Sequence, residues 1–331
     1  MNLFIATSPF QYICALEAKA HYNTDNNILV LVHQDKEPGI SQQMKLFNSN
    51  DWDYVIHTER KNRSRTIPKD IRKVKAICGN QKIAHLFHAE YNGWQTKLFL
   101  KNLTIEKEVY FDDGSLTINE YEELIRPKKS YTRKRFFSDL TLRLNGCKPV
   151  GTIQQSEQLE LFTIFDIENP EHLIQKNSLK RLQEKLQDIE LYNKSAPLGL
   201  IGQGSVGHKN LKPTSDYLKE VSEIVAKSKN GVIYFPHRSE SEDIRRVISE
   251  LPNLRYHYSE YPLEIELVDK RIQLSCLIGC TSTAQFTAKI LNPDMPIYNI
   301  PLSPRESYSA EMLCRFDRVN RYLSKLGIKE I

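Results

Sequence analysis

Residues 28–33 read Ile-Leu-Val-Leu-Val-His, a short apolar run with no polar residue until its end. A strand wetted on one face alternates apolar and polar residues. An unbroken run is the pattern of a parallel strand buried on both faces. Similar runs recur at 2–6, 54–57, 85–88, 109–111 and 159–165. Helical segments at 12–21, 42–47, 69–78 and 95–103 separate the first five of them. Pro9 suits the first turn of the first helix, where its missing N–H costs nothing. This alternation predicts a doubly wound α/β domain, a parallel sheet with helices on both faces.

The section 120–147 is basic and less periodic, and 170–192 reads as a charged helix, a hinge or linker. Ala196-Pro197 marks a second unit built on the same logic. Its strands are expected at 198–201, 232–235, 273–278 and 295–300, and its helices at 215–228, 243–250, 263–268, 284–291 and 310–326. The expected domains are therefore 1–194 and 195–331. With polar groups at strand C-termini in both, one cleft between them is expected, since domain interfaces favour ligand sites.

The 331 residues suffice for two such domains. No apolar run approaches the ~20 residues of a transmembrane helix. The N-terminus lacks the basic flank and cleavage site of a signal peptide, so a cytoplasmic protein is expected. Of the six cysteines (Cys14, Cys78, Cys147, Cys276, Cys280 and Cys314), Cys276 and Cys280 form the one close pair. They have no partner pair for zinc, and free thiols are expected. The net charge of +5 is uneven: Arg60, Lys61, Arg63 and Arg65 form one basic run. Arg126, Lys128, Lys129, Arg133, Lys134 and Arg135 form a second. Such runs attract nucleic acid, anionic lipid or an acidic glycan, or are merely solvated. No nucleic-acid motif accompanies them, so nucleic acid is the weakest of these readings.

Val109-Tyr110-Phe111-Asp112-Asp113-Gly114-Ser115 is a buried strand that ends in two carboxylates and a glycine. A carboxylate at such a strand end can act as a general base on a substrate hydroxyl; an ordinary Asp-Gly turn is the alternative. His237 follows a strand through Pro236, which presents the imidazole in a defined direction. Ser282 and Thr283 lie between a strand and a helix, a place for an anion or for plain N-capping. Gly202-Gln203-Gly204-Ser205 is glycine-rich but lacks the dinucleotide and P-loop patterns. Asp112-Asp113 has no complementary cluster beside it, and no metal is expected.

Taken in order, these stretches resemble bacterial sialyltransferases of the GT-B type. The start, Asn2-Leu3-Phe4-Ile5-Ala6-Thr7-Ser8-Pro9-Phe10-Gln11, resembles the first strand and loop of glycosyltransferase family 52 and of the bacterial polysialyltransferases. Gly202-Gln203 resembles the start of their nucleotide domain. Tyr234-Phe235-Pro236-His237-Arg238-Ser239-Glu240 resembles their Tyr-Tyr-Pro-His-Pro-Arg-Glu stretch. Tyr261-Pro262-Leu263-Glu264 and Gly279-Cys280-Thr281-Ser282-Thr283-Ala284 complete the series. Arg238 stands where many relatives have proline, and Thr283 where they have a second serine.

The resemblance implies a GT-B-like fold, two Rossmann-type doubly wound domains facing across a cleft. It implies an inverting, metal-independent transferase that moves sialic acid from CMP-sialic acid to a surface glycan such as an O-antigen, lipooligosaccharide or capsule precursor. The acceptor would be lipid-linked, with galactose the expected sugar and the protein peripheral on the inner membrane face. Asp112 would be the general base, with Asp113 and Gly114 shaping its turn. His237, positioned by Pro236 and Arg238, would hydrogen-bond or protonate the departing phosphate. Ser282 and Thr283 would hold that phosphate, Glu264 the ribose, and Gln203 would line the nucleotide pocket. Ser8 would face the donor. The alternatives are another CMP-activated nonulosonic acid, an α2,8-polysialyltransferase, a sugar-nucleotide hydrolase or epimerase, and a non-catalytic glycan- or nucleotide-binding protein.

Overall fold

The computed structural model describes residues 1–186, 189–204, 206–207, 212–302 and 308–331. Ser205 of the glycine-rich stretch lies outside the described residues. The chain divides into two compact units, Met1–Asn177 and Ser178–Ile331. The division falls ahead of residue 194 because 189–193 pair with the second unit. Leu274 N donates to Leu191 O at 2.8 Å, and Asn193 N donates to Leu274 O at 3.0 Å.

The first unit runs β1 (Asn2–Ala6), α1 (Pro9–His21), β2 (Asn27–Val32), α2 (Gly39–Leu46), β3 (Tyr54–Thr58), α3 (Arg63–Cys78), β4 (Ile83–His88) and α4 (Trp94–Asn102). It continues with β5 (Ile105–Phe111), α5 (Leu116–Glu120), β6 (Tyr131–Arg133), α6 (Phe136–Leu144), β7 (Gly151–Ile153), β8 (Leu159–Thr163) and β9 (Leu173–Lys176). Among the described residues, its main sheet has the order β3-β2-β1-β4-β5-β8-β9, all parallel. Successive residues of a strand face opposite sides. Leu3 and Ile5 of β1 therefore enter one core with Val30, Ile71 and Leu98, while Phe4 and Ala6 enter the other with Tyr12, Ala15 and Phe87. That double burial is why the strands read as unbroken apolar runs.

Two local expectations are corrected. The helix read from residue 69 starts at Arg63 and passes through Pro68, so two arginines of the first basic run are helical. Ile67, Ile71 and Val74 bury along one face of it, and this burial outweighs the hydrogen bond that a proline removes. The charged helix expected over 170–192 is instead the edge strand β9, paired with β8, and a short helix α7 (Lys180–Lys185). An edge strand needs apolar residues on few positions, so its polarity mimicked a solvated helix. In the irregular section, β6 pairs antiparallel with β7, which lies just beyond it, and the two strands flank α6.

The second unit continues with β10 (Leu198–Ile201), α8 (Thr214–Lys227), β11 (Val232–Phe235), α9 (Glu242–Ser249), β12 (Leu254–Tyr256) and α10 (Leu263–Asp269). Then come β13 (Leu277–Gly279), α11 (Thr283–Leu291), β14 (Ile297–Asn299), α12 (Ala310–Lys325) and β15 (Lys329–Glu330). Its parallel sheet has the order β12-β11-β10-β13-β14-β15. Both sheets thus grow outward from their first strand, then restart on its other side. The restart falls between β1 and β4 in the first unit and between β10 and β13 in the second. Ligands of such sheets bind outside the C-terminal strand ends at that switch point.

Candidate functional site

Each unit gathers its expected site residues at its own switch-point edge. In the first unit, Ser8 ends β1's loop as the N-cap of α1, its hydroxyl accepting from Gln11 N at 3.2 Å, with Pro9 in the first turn. Ser8 is buried, so its side chain serves the helix. The Gln11 side chain then ties the loop together: its Oε1 accepts from Thr7 N at 2.8 Å, and its Nε2 donates to Asp113 Oδ1 at 2.8 Å. Thr7 Oγ1 donates to Glu90 Oε1 at 2.7 Å, bridging the switch point between β1 and β4. Arg60, arriving from β3, donates through Nη2 to Thr7 O at 2.5 Å, and Gln34, arriving from β2, donates to the same carbonyl. Of these four, Arg60 belongs to the first basic run and Gln11 to the first strand and loop, while nothing in the sequence pointed to Glu90 or Gln34.

The two aspartates occupy different environments. Gly114 has φ 75°, a left-handed conformation open to glycine, and it turns the chain just after them. Asp112 is 0% exposed. Its Oδ1 accepts from Thr163 Oγ1 at 2.6 Å and its Oδ2 from Ile164 N at 2.8 Å, both where β8 ends. Burial pushes its carboxyl up to about 7, against the opposing pull of those donors and of Lys176. Asp113 is partly exposed, held by Gln11 on one side and by Thr117 Oγ1 at its backbone N–H, 3.2 Å away.

In the second unit, β11, β10 and β13 are neighbours, and their C-terminal loops share one edge. Gly202 N donates to Phe235 O at 2.7 Å, which joins the first two loops. A Cβ on Gly204 would lie 2.8 Å from His237 Cε1, and one on Gly202 would lie 2.6 Å from His237 N. The Gly-Gln-Gly sequence is thus explained by the close approach of the histidine. Ser239 N donates to His237 Nδ1 at 3.2 Å, with Ser239 Oγ 2.8 Å from the same nitrogen. A backbone N–H can only donate, so in the neutral ring the proton sits on Nε2. Burial, with the nearby Arg238 charge, depresses the imidazole to about 4. His237 is therefore a neutral Nε2–H hydrogen-bond donor at physiological pH rather than a standing acid. Arg238 itself is exposed.

A buried phenol chain lies beneath this loop. Gln203 N donates to Tyr217 OH at 3.2 Å, Tyr217 OH meets Tyr234 OH at 2.7 Å, and Tyr234 OH donates to Glu240. Tyr256 OH donates to the other Glu240 oxygen at 2.7 Å. The Gln203 side-chain oxygen is buried and has no partner among the described residues. Across the switch point, Thr281 has φ 46°, an unusual conformation for a β-branched residue that marks a constrained turn. Ser282 caps α11 in a capping box with Gln285, and Thr283 is that helix's first residue. Glu264 on α10 is buried, its carboxyl raised by burial, and it accepts from Thr287 Oγ1 of α11 at 3.0 Å. The structure thus brings Gln203, His237, Ser282 and Thr283 to one sheet edge and links Glu264 to the same helix. Asp112, Asp113 and Ser8 share the edge of the other unit. Among the described residues, no group of three or more His, Cys, Asp or Glu side chains is placed to hold a metal ion, and no helix is long and apolar enough to cross a membrane.

No protein-family model and no curated protein matches the sequence. Among solved structures, the chain is similar to S. aureus MnaA in complex with UDP, at 13% identity and a TM-score of 0.51, covering 98% of this chain and 88% of that one. It is also similar to the UDP-GlcNAc 2-epimerase from Neisseria meningitidis bound to UDP-GlcNAc (11%, 0.46, 98% and 92%). A third similar structure is the E. coli heptosyltransferase WaaC with ADP (12%, 0.42, 99% and 98%). At such identities the likeness is one of fold: the chain has the GT-B-like α/β fold, with two Rossmann-type doubly wound units.

Proposed function

We propose that this protein is an inverting glycosyltransferase that transfers sialic acid from CMP-sialic acid to a hydroxyl of a bacterial surface glycan, galactose being the first acceptor to test. The observation that carries the reading is the switch-point edge of the second unit. There, a neutral imidazole N–H and the hydroxyl-capped N-terminus of α11 share one edge. Their order in the chain is that of the bacterial sialyltransferase motifs. A departing monophosphate ester develops limited negative charge, which such preorganised donors can stabilise. Gln203, whose buried oxygen has no partner among the described residues, suits a nucleobase amino group, and Glu264 is assigned to the ribose. Ser8 shapes the donor-side loop of the first unit. The free cysteines suit a cytoplasmic enzyme, and the acceptor is taken to be lipid-linked.

In the proposed step, a carboxylate removes the acceptor hydroxyl proton and the oxygen attacks the anomeric carbon. The bond to the phosphate oxygen breaks, its electron pair leaves with CMP, and His237 Nε2–H bonds to that phosphate. Asp112 takes the role of base. A carboxyl near 7 is matched to proton transfer at neutral pH. Because its oxygens are occupied by Thr163 and Ile164, the acceptor hydroxyl has to displace one of these donors to reach it. Asp113, steered by Gln11, is the carboxylate the acceptor meets first.

The test is a donor and acceptor screen with the purified chain, read by mass spectrometry. CMP-sialic acid and UDP-sugars are offered with galactosyl, N-acetylgalactosaminyl and sialyl acceptors. A sialylated galactoside and released CMP are expected. Transfer from a UDP-sugar alone, or UDP-sugar turnover without an acceptor as an epimerase or hydrolase would give, overturns the donor assignment. A product ladder on the sialyl acceptor identifies a polymerising enzyme. CMP binding with no turnover on any acceptor identifies a binding protein.

A further inference from the structure

Helix α6 is inverted relative to ordinary surface helices. Phe136 is 78% exposed, Phe137 82%, Leu144 80% and Leu140 46%. At ~100° per residue these four fall within an arc of about 100°. Leu142, nearly opposite, is buried and joins the first unit's core with Ile71, Cys147 and Val150. The helix is held in place independently of its exposed face, since Arg72 Nη1 donates to Asn145 O at 2.7 Å. Arg143 lies on the helix, Lys134 and Arg135 directly before it, and Lys128, Lys129 and Lys148 on the chain segments to either side, all exposed. Of the acids nearby, Asp139 accepts from the Arg135 backbone N–H at 3.1 Å, and Glu122 is paired with Arg126 at 2.9 Å.

We infer that the apolar face of α6 and its basic neighbours dock the first unit on an anionic phospholipid bilayer. Aromatic and leucine side chains in one arc, with lysine and arginine on and beside the helix, are the chemistry of an interfacial helix. Phe136 and Phe137 enter the acyl boundary while the cations meet lipid phosphates. These cations commit the surface to a negatively charged occupant, which a second copy carrying the same cations does not supply. The place also fits. The Arg133 guanidinium of β6 stacks 3.7 Å over the Trp94 ring, and Trp94 opens α4 just after the Glu90 loop. Gln155 Nε2, beyond β7, donates to Tyr91 OH and to Ile125 O, both at 2.9 Å. The docking face is thus built onto the loops of the carboxylate edge. The inference rests on the proposed function for its purpose, which is to bring that edge to a lipid-linked acceptor.

Vesicle co-sedimentation of the full chain, with neither donor nor acceptor present, tests docking separately from catalysis. Wild type is expected to sediment with phosphatidylglycerol-containing vesicles and to stay in solution with pure phosphatidylcholine. Phe136→Ser/Phe137→Ser/Leu144→Ser should bind on the order of tenfold or more weakly. Lys128→Glu, Lys129→Glu and Lys134→Glu should each weaken binding about fivefold at low salt and less at high salt. Circular dichroism checks that the variants are folded. Phe137→Trp supplies a second reading, a fluorescence blue shift on vesicle addition with quenching by brominated acyl chains. Failure of wild type to sediment, or equal sedimentation of the serine variant, overturns the proposal. So does wild-type dimerisation that the serine variant abolishes while neither binds vesicles, since that assigns the face to a second copy.

Discussion

Burial acts in opposite directions on the two groups given the chemistry. It raises the Asp112 carboxyl from 3.8 to about 7 and lowers the His237 imidazole from 6.5 to about 4. The signs follow from proton counting. Between pH 4 and 7 the folded state holds a proton on Asp112 that the unfolded chain has released, so this group costs stability as pH rises. At ~1.4 kcal/mol per pH unit, the cost above pH 7 is on the order of 4 kcal/mol. His237 does the reverse, costing stability as pH falls from 6.5 towards 4. Thermal melts of wild type and Asp112→Asn across about pH 4.5–8 should therefore diverge. The variant gains relative to wild type as pH rises, and parallel curves would show that Asp112 is not held protonated. Function divides the same residues differently. Asp112→Asn should lower transfer by ~10²–10⁴-fold and leave CMP affinity unchanged, because it acts on the acceptor. His237→Ala should weaken CMP binding by about 1–3 kcal/mol and lower kcat as well. Calorimetry with CMP beside single-turnover rates checks both, and a reversed pattern would exchange the two assignments. If Asp113→Asn carries the loss while Asp112→Asn does not, the base is Asp113.

At the scale of elements, the loop after β10 and the loop after β11 are one device. Gly202 and Gly204 leave room for His237, the Gly202 N–H bonds to Phe235 O, and the tyrosine chain under Gln203 fixes the floor. Gly204→Ala places a methyl group 2.8 Å from the ring edge, which a side-chain rotation relieves at little cost to the fold. The expected outcome is a melting temperature near that of wild type with a CMP affinity lowered towards that of His237→Ala. A Gly204→Ala protein that melts normally and binds CMP as wild type does would show that the ring's position is not what recognises the phosphate. The glycines and the histidine were all visible in the sequence. What hid their relation is that they sit on different strands, more than thirty residues apart, as ~30-residue βαβ units dictate.

For the whole molecule, the proposal relies on uncharged donors and a helix terminus at the leaving group. Transfer should therefore survive excess EDTA. Loss of activity with chelator and its return with magnesium or manganese would require a cation in the phosphate site. Much of the architecture was legible in advance, for a physical reason. Parallel strands buried on both faces have no choice but to be short apolar runs, so β1, β2, β10 and β11 announce themselves, and the polar residues closing them mark the ligand edge. Edge and surface elements carry weaker constraints. Strand β9 pairs on one side with β8, and α3 tolerates Pro68 because its face is packed, so local pattern misread both. The sequence alone also determined which residue types stand at each strand end. Whether Asp112 meets water or the donors of β8, which nitrogen of His237 keeps its proton, and whether Leu142 or Phe137 turns inward on α6 depend on neighbours distant in the chain. Only the tertiary structure decided these, because desolvation and hydrogen bonding act on what folding brings together.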